Sequence, residues 1–264
     1  MIRLMKRIQI SRHELDTWMH ESGSLGHSDS ESRKRFSQAR KAALSQEPKE
    51  IPHIVRKALS NADRCLFMEW RPKISGNIRL VWAFVLITLI LEVFYLYFSS
   101  LEWPKSTNHG PAFIFLFLLS FSISIVIHPL SHYFSGKILG IHFQEFFLAP
   151  HPLRKTKFPL NRVAKLILTP GVKYDLESML SSSKWKRAAM LASGVVLPYL
   201  LLYGNLIMLV INSSPSQPEW IEKFVIVFIV AWTIAEIATS WFFHGDLAKA
   251  RDIYRKRPVI ELVE

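Results

Sequence analysis

The run His128-Pro129-Leu130-Ser131-His132 sets two imidazoles four positions apart. On a helix, positions i and i+4 share a face one turn apart, so such a pair can grip a single metal ion. With 10 histidines in 264 residues, about 0.4 such pairs arise by chance, so the spacing needs a third donor before it means anything. Zinc with an open position for water takes three protein ligands, and the third is commonly a carboxylate. His244-Gly245-Asp246 offers two candidates, Asp246 and His244. The competing reading has no metal: interfacial polar side chains bonded to lipid headgroups or to each other.

These groups need helices to carry them, and the charge distribution shows where the helices lie. Half of the residues are hydrophobic, yet residues 80–91, 111–136, 188–218 and 224–235 contain no Asp, Glu, Lys or Arg. A soluble domain spreads its charges more evenly. Low glycine, long apolar runs and a single cysteine, Cys65, exclude collagen-like, fully disordered and disulfide-stapled classes. Four spans are expected: about 78–98, then Pro111 through 139, about 187–211 and about 221–243. The first is about 31 Å long at helical rise, enough for the hydrocarbon layer. Both candidate ligand sets then sit at span ends, where ionisable groups are usually functional.

The remaining segments are basic. Residues 1–77 hold 15 Lys+Arg against 9 Asp+Glu, residues 133–186 hold 9 against 3, and residues 244–264 hold 5 against 4. Positive-inside counting puts the N-terminal arm, the central loop and the C-terminus in the cytoplasm of a multi-pass cell-membrane protein. The net charge of +12 is assigned to this orientation and to the anionic lipid bilayer, with no nucleic acid as partner. Within the arm (1–77), Ser11-Arg12-His13-Glu14 reads as a capping box, residues 21–35 are too polar to bury a core, and the arm is either a small helical region or flexible. His13-Glu14-Leu15-Asp16-Thr17 begins like a metal-binding HExxH but ends in Thr17. In the central loop, 141–148 and 163–168 read as strands, with a helix left open for 161–168. Breakers stand at Pro150, Pro152, Pro159 and Pro170-Gly171. The expected fold class is an all-α polytopic membrane protein of about four transmembrane helices with a small cytosolic β-element. The membrane domain is drawn at 78–250 and a cytosolic tail at 251–264.

Residues 128–140 (HPLSHYFSGKILG) followed by Phe146-Phe147-Leu148-Ala149-Pro150 resemble the site-2 protease family of intramembrane zinc metalloproteases. That family carries HExxH on a transmembrane helix ahead of a pattern like HELGHxxxAKxxGxxxxxFxLGP. Leu166-Ile167-Leu168-Thr169-Pro170-Gly171-Val172-Lys173-Tyr174 echoes its strand and Pro-Gly-Gly-Tyr type turn, and Ala192-Ser193-Gly194 weakly echoes a later Ala-Gly-Pro. The resemblance covers about residues 111–250. It implies a zinc ion held by His128, His132 and Asp246, and a hairpin edge to which an unwound transmembrane peptide adds as a strand.

One position departs from the pattern. The family's general base is the Glu of HExxH, and here Pro129 stands in its place. Losing such a base typically costs about 10²–10⁴-fold in rate, and an internal proline removes a helix hydrogen bond, here from the carbonyl of Ile125. The expected function is a catalytically impaired or inactive zinc metalloprotease homologue that binds membrane proteins or transmembrane peptides, with no catalytic residue assigned. Two alternatives stay open: an active peptidase with its base relocated to Glu236 or Glu145, and a metal-free scaffold or transporter component. Glu92, near a span end, is expected to snorkel or pair.

Overall fold

The computed structural model describes residues 7–20, 30–70, 74–76, 78–100, 109–150, 168–211, 219–242, 245–255 and 259–263. The chain is mostly helical and divides into two compact units, one of residues 1–77, 135–190 and 249–264, the other of residues 78–134 and 191–248.

The first unit begins with β1 (Arg7–Ser11) and α1 (Arg12–His20). The expected capping box forms at their junction: the Ser11 N–H donates to Glu14 Oε2 at 2.9 Å, and the Glu14 N–H donates to Ser11 Oγ at 3.2 Å. Next come α2 (Ser30–Leu44) and α3 (His53–Trp70). The stretch 21–35 was expected to be too polar to bury a core. Residues 31–35 lie in the first turns of α2 with none of them buried, and α2 reaches the core from Phe36 onward, through Phe36, Ala39 and Ala43; residues 21–29 lie outside the described residues. The arm is thus a helical region, and its core is shared with distant parts of the chain. Ile10, Leu15, Trp18, Phe36, Val55 and Leu59 pack with Leu176 and Leu180 of the central segment and Ile260 of the tail. The tail joins through β5 (Val259–Val263), which pairs in parallel with β1, Ile8 opposite Ile260.

A second sheet runs in the order β2-β3-β4, all antiparallel, from Ile74–Gly76, Phe143–Pro150 and Leu168–Tyr174. The first expected strand appears two residues late. Of the second, residues 163–167 lie outside the described residues, and β4 continues well past Leu168. Pro170-Gly171 was expected to break the chain but lies inside β4, opposite Leu148 and Phe147. On an edge strand a proline is tolerated where its nitrogen faces away from the neighbouring strand.

Short helix α6 (Leu176–Ser181) follows, capped by Asp175. Arg187, fully buried in the first turn of α7 (Lys184–Ile211), then donates to the carbonyls of Ala43, Leu44, Gln46, Leu180 and Ser182 at 2.7–3.3 Å. One guanidinium so satisfies the orphan carbonyls at the ends of α2 and α6. Asp63 of α3 bonds Arg40 of α2 at 3.0 Å and also Lys173 of β4.

The second unit contains α4 (Ile78–Ser100), most of α5 (His109–Leu139), most of α7, and α8 (Glu219–Phe242). Its core gathers Tyr95, Phe113, Leu116, Ile123, Leu202, Leu206 and Val225. Phe117 meets Phe228 edge to face at 4.8 Å, and Phe121 meets Trp232 the same way at 5.4 Å. Large apolar side chains such as Trp82, Leu86, Val93, Ile226 and Val227 face outward, as on helices solvated by lipid. Among the described residues, three stretches are long and apolar enough to cross a membrane: Arg79–Ser99, Phe113–Leu139 and Lys184–Ile211. The fourth expected span is a helix, but its described apolar part, Lys223–Ala235, is shorter than these.

Candidate metal centre

Helix α5 carries both histidines through an internal proline. The helix is continuous from His109 to Leu139 although Pro129 sits within it, and Pro129 is buried. Two hydroxyls brace the turn. Ser131 Oγ donates to the Ile127 carbonyl at 2.9 Å, and Ser193 Oγ of α7 donates to the Ser131 carbonyl at 3.2 Å. The helix then stops at Gly140, whose φ of +78° is the left-handed geometry that glycine adopts without cost. The Gly140 N–H donates to Lys137 O and the Ile141 N–H to Gly136 O, a Schellman closure with Ile141 buried behind it.

Four positions put the two imidazoles on one face, with ring centroids 5.0 Å apart and planes at 89°. Asp246, the first residue of α9 (Asp246–Tyr254), meets them both. Its Oδ2 lies 3.2 Å from His128 Nε2 and 3.1 Å from His132 Nε2. The three donor atoms all fall within 4.8 Å of one another, and no other such group of His, Cys, Asp or Glu occurs among the described residues. Two ligands at zinc bond lengths of about 2.0–2.2 Å and tetrahedral angles stand about 3.3 Å apart. The donor set fits a small divalent ion in chemistry, and the two separations from Asp246 Oδ2 match that spacing. Without an ion, the same separations suit imidazole N–H groups donating to one carboxylate oxygen.

Exposure is graded across the cluster. His132 is 8% exposed at its side chain, Asp246 15% and His128 38%, so the approach from outside lies on the His128 side. A zinc ion, if bound, would be held by these three and would supply a Lewis acid that polarises a further ligand. Position 129, between the two histidines, holds a proline ring that neither accepts nor donates a hydrogen bond.

His244, the competing third ligand, lies outside the described residues. Glu236 belongs to α8, and its side chain is outside those described. Glu145 sits in β3 opposite Lys173, in the first unit rather than the second. Glu92 of α4 accepts from the Asn205 amide at 3.4 Å, and the Tyr95 hydroxyl donates to the Asn205 carbonyl. Glu14 is held by Arg35 at 2.7 Å as well as by its cap.

One contributor was legible in the sequence only as part of a faint echo. At Gly194 of α7 the backbone passes directly against the His132 imidazole, and a Cβ there would overlap Nε2 and Cε1 of the ring. A glycine inside an otherwise apolar helix was the available signal, because it costs about 1 kcal/mol of helix propensity and so marks a close approach.

No protein-family model, curated protein or solved structure matches this chain.

Proposed function

We propose that this chain is a polytopic membrane protein of the site-2 protease type. In this reading it binds zinc through His128, His132 and Asp246 and has lost efficient peptide hydrolysis. The observation that carries the reading is the convergence of those three donors from two helices, with Pro129 at the position of the general base. Metal binding needs only the donor set. Hydrolysis also needs a proton acceptor beside the bound water, and its absence costs about 10²–10⁴-fold. The remaining function is recognition of membrane proteins or transmembrane peptides, for which the edge of an antiparallel sheet would offer main-chain hydrogen bonds.

In this reading α8 completes a fourth span, both termini lie in the cytoplasm and the basic segments face anionic lipid, as positive-inside counting requires. The test is a membrane-tethered reporter carrying a transmembrane helix, compared between the native chain and His128→Ala. Equal, near-background cleavage together with co-purification of the reporter by both chains is the expected result. Cleavage by the native chain that His128→Ala abolishes would overturn the inactive assignment.

A further inference from the structure

Helix α7 faces His132 with its backbone. The segment Ala192-Ser193-Gly194 uses Ser193 Oγ to hold the Ser131 carbonyl. At Gly194 it has no side chain where one would run into the imidazole atoms Nε2, Cε1 and Cδ2. Those atoms include the nitrogen that meets Asp246 Oδ2 at 3.1 Å. The ring is buried, and a close-packed surrounding gives it little room to retreat from an added methyl group.

Gly204, ten residues along the same helix, offers a direct contrast. A Cβ there meets nothing within 4 Å. Both glycines weaken the helix equally by propensity, so only position 194 has a steric reason to lack a side chain.

We propose that Gly194 is the positioning residue of the metal centre: its missing side chain admits the His132 imidazole in the orientation that points Nε2 at Asp246. Its role in metal binding rests on the zinc reading above, whereas its hold on the ring does not. Substitutions in the shell around metal ligands typically cost about 10–100-fold in metal affinity. Gly194→Ala is expected at the upper part of that range because it displaces a ligand itself.

The experiment uses the full chain in detergent, titrated with cobalt(II), whose visible absorption reports the ligand geometry. Thermal unfolding of Gly194→Ala is measured alongside, in the native and His132→Ala backgrounds. Gly194→Ala should weaken cobalt binding by about tenfold or more and alter its spectrum, while Gly204→Ala matches the native chain. It should also lower the melting temperature in the native background and not in the His132→Ala background, since removing the ring removes the clash. Native cobalt affinity and spectrum in Gly194→Ala would overturn the inference and leave the metal reading standing. Absence of cobalt binding by the native chain would overturn the metal reading, and the unfolding cycle then decides the role of Gly194 alone. Equal destabilisation in both backgrounds would refute it; a loss confined to the native background would uphold it as the residue that orients His132.

Discussion

Asp246 Oδ2 lies 3.1 Å from His132 Nε2, although 114 residues separate the two in sequence. The contact joins the first turn of α9 to the buried face of α5, and His128 shares the same oxygen at 3.2 Å. The two imidazoles can donate to this one carboxylate oxygen without an ion, and in the proposed zinc reading the same three atoms would be the ligands.

Position 129 tests what was lost. Pro129→Glu returns both a backbone N–H to α5 and a carboxylate one residue after His128. Cleavage of a transmembrane reporter should rise, by as much as about 10²-fold, and fall back when His132→Ala is added. No gain in a variant that keeps its metal would mean the surroundings of the site no longer support hydrolysis.

Arg187 tests what holds the first unit together. Its guanidinium donates to five backbone carbonyls, and Arg187→Met strands them in a buried place. The expected loss is about 3 kcal/mol or more in denaturant unfolding of the full chain. A loss under about 1 kcal/mol would mean that water reaches these carbonyls.

Gly140 tests the end of α5. At φ +78° a Cβ costs about 1–2 kcal/mol, so Gly140→Ala should destabilise by that amount. Gly204→Ala should be neutral or stabilising by up to about 1 kcal/mol. Similar effects at the two sites would contradict the left-handed closure.

Tyr95 tests the helix contacts of the second unit. Its hydroxyl bonds the Asn205 carbonyl between α4 and α7, and interhelical hydrogen bonds in membranes average about 0.6 kcal/mol. Tyr95→Phe should lower stability by about that much, with no change in metal content, measured by unfolding in detergent and by metal analysis of the same sample.

Much of this was legible before the structure. Charge-free runs located the apolar helices because charge is excluded from hydrocarbon, and Ser11 with Glu14 marked the start of α1 because a capping box is a purely local device. The core of the arm was hidden, since Phe36, Ala39 and Ala43 are thinly spread among charged residues and find their partners, Leu176 and Ile260, far along the chain. Pro170 misled because its tolerance depends on strand order, which sequence does not state. His128 and His132 announced themselves by spacing, and Asp246 by its place at the end of the fourth expected span. Gly194 gave only a faint signal, a glycine inside an apolar helix, because what matters there is the ring it leaves room for.

The most direct measurement is the zinc content of the purified chain after removal of loosely bound metal, for the native protein, His132→Ala and Asp246→Ala. About one zinc per native chain, lost in both variants, is expected of a three-donor centre. A native chain without zinc, or variants that keep the native amount, would contradict it.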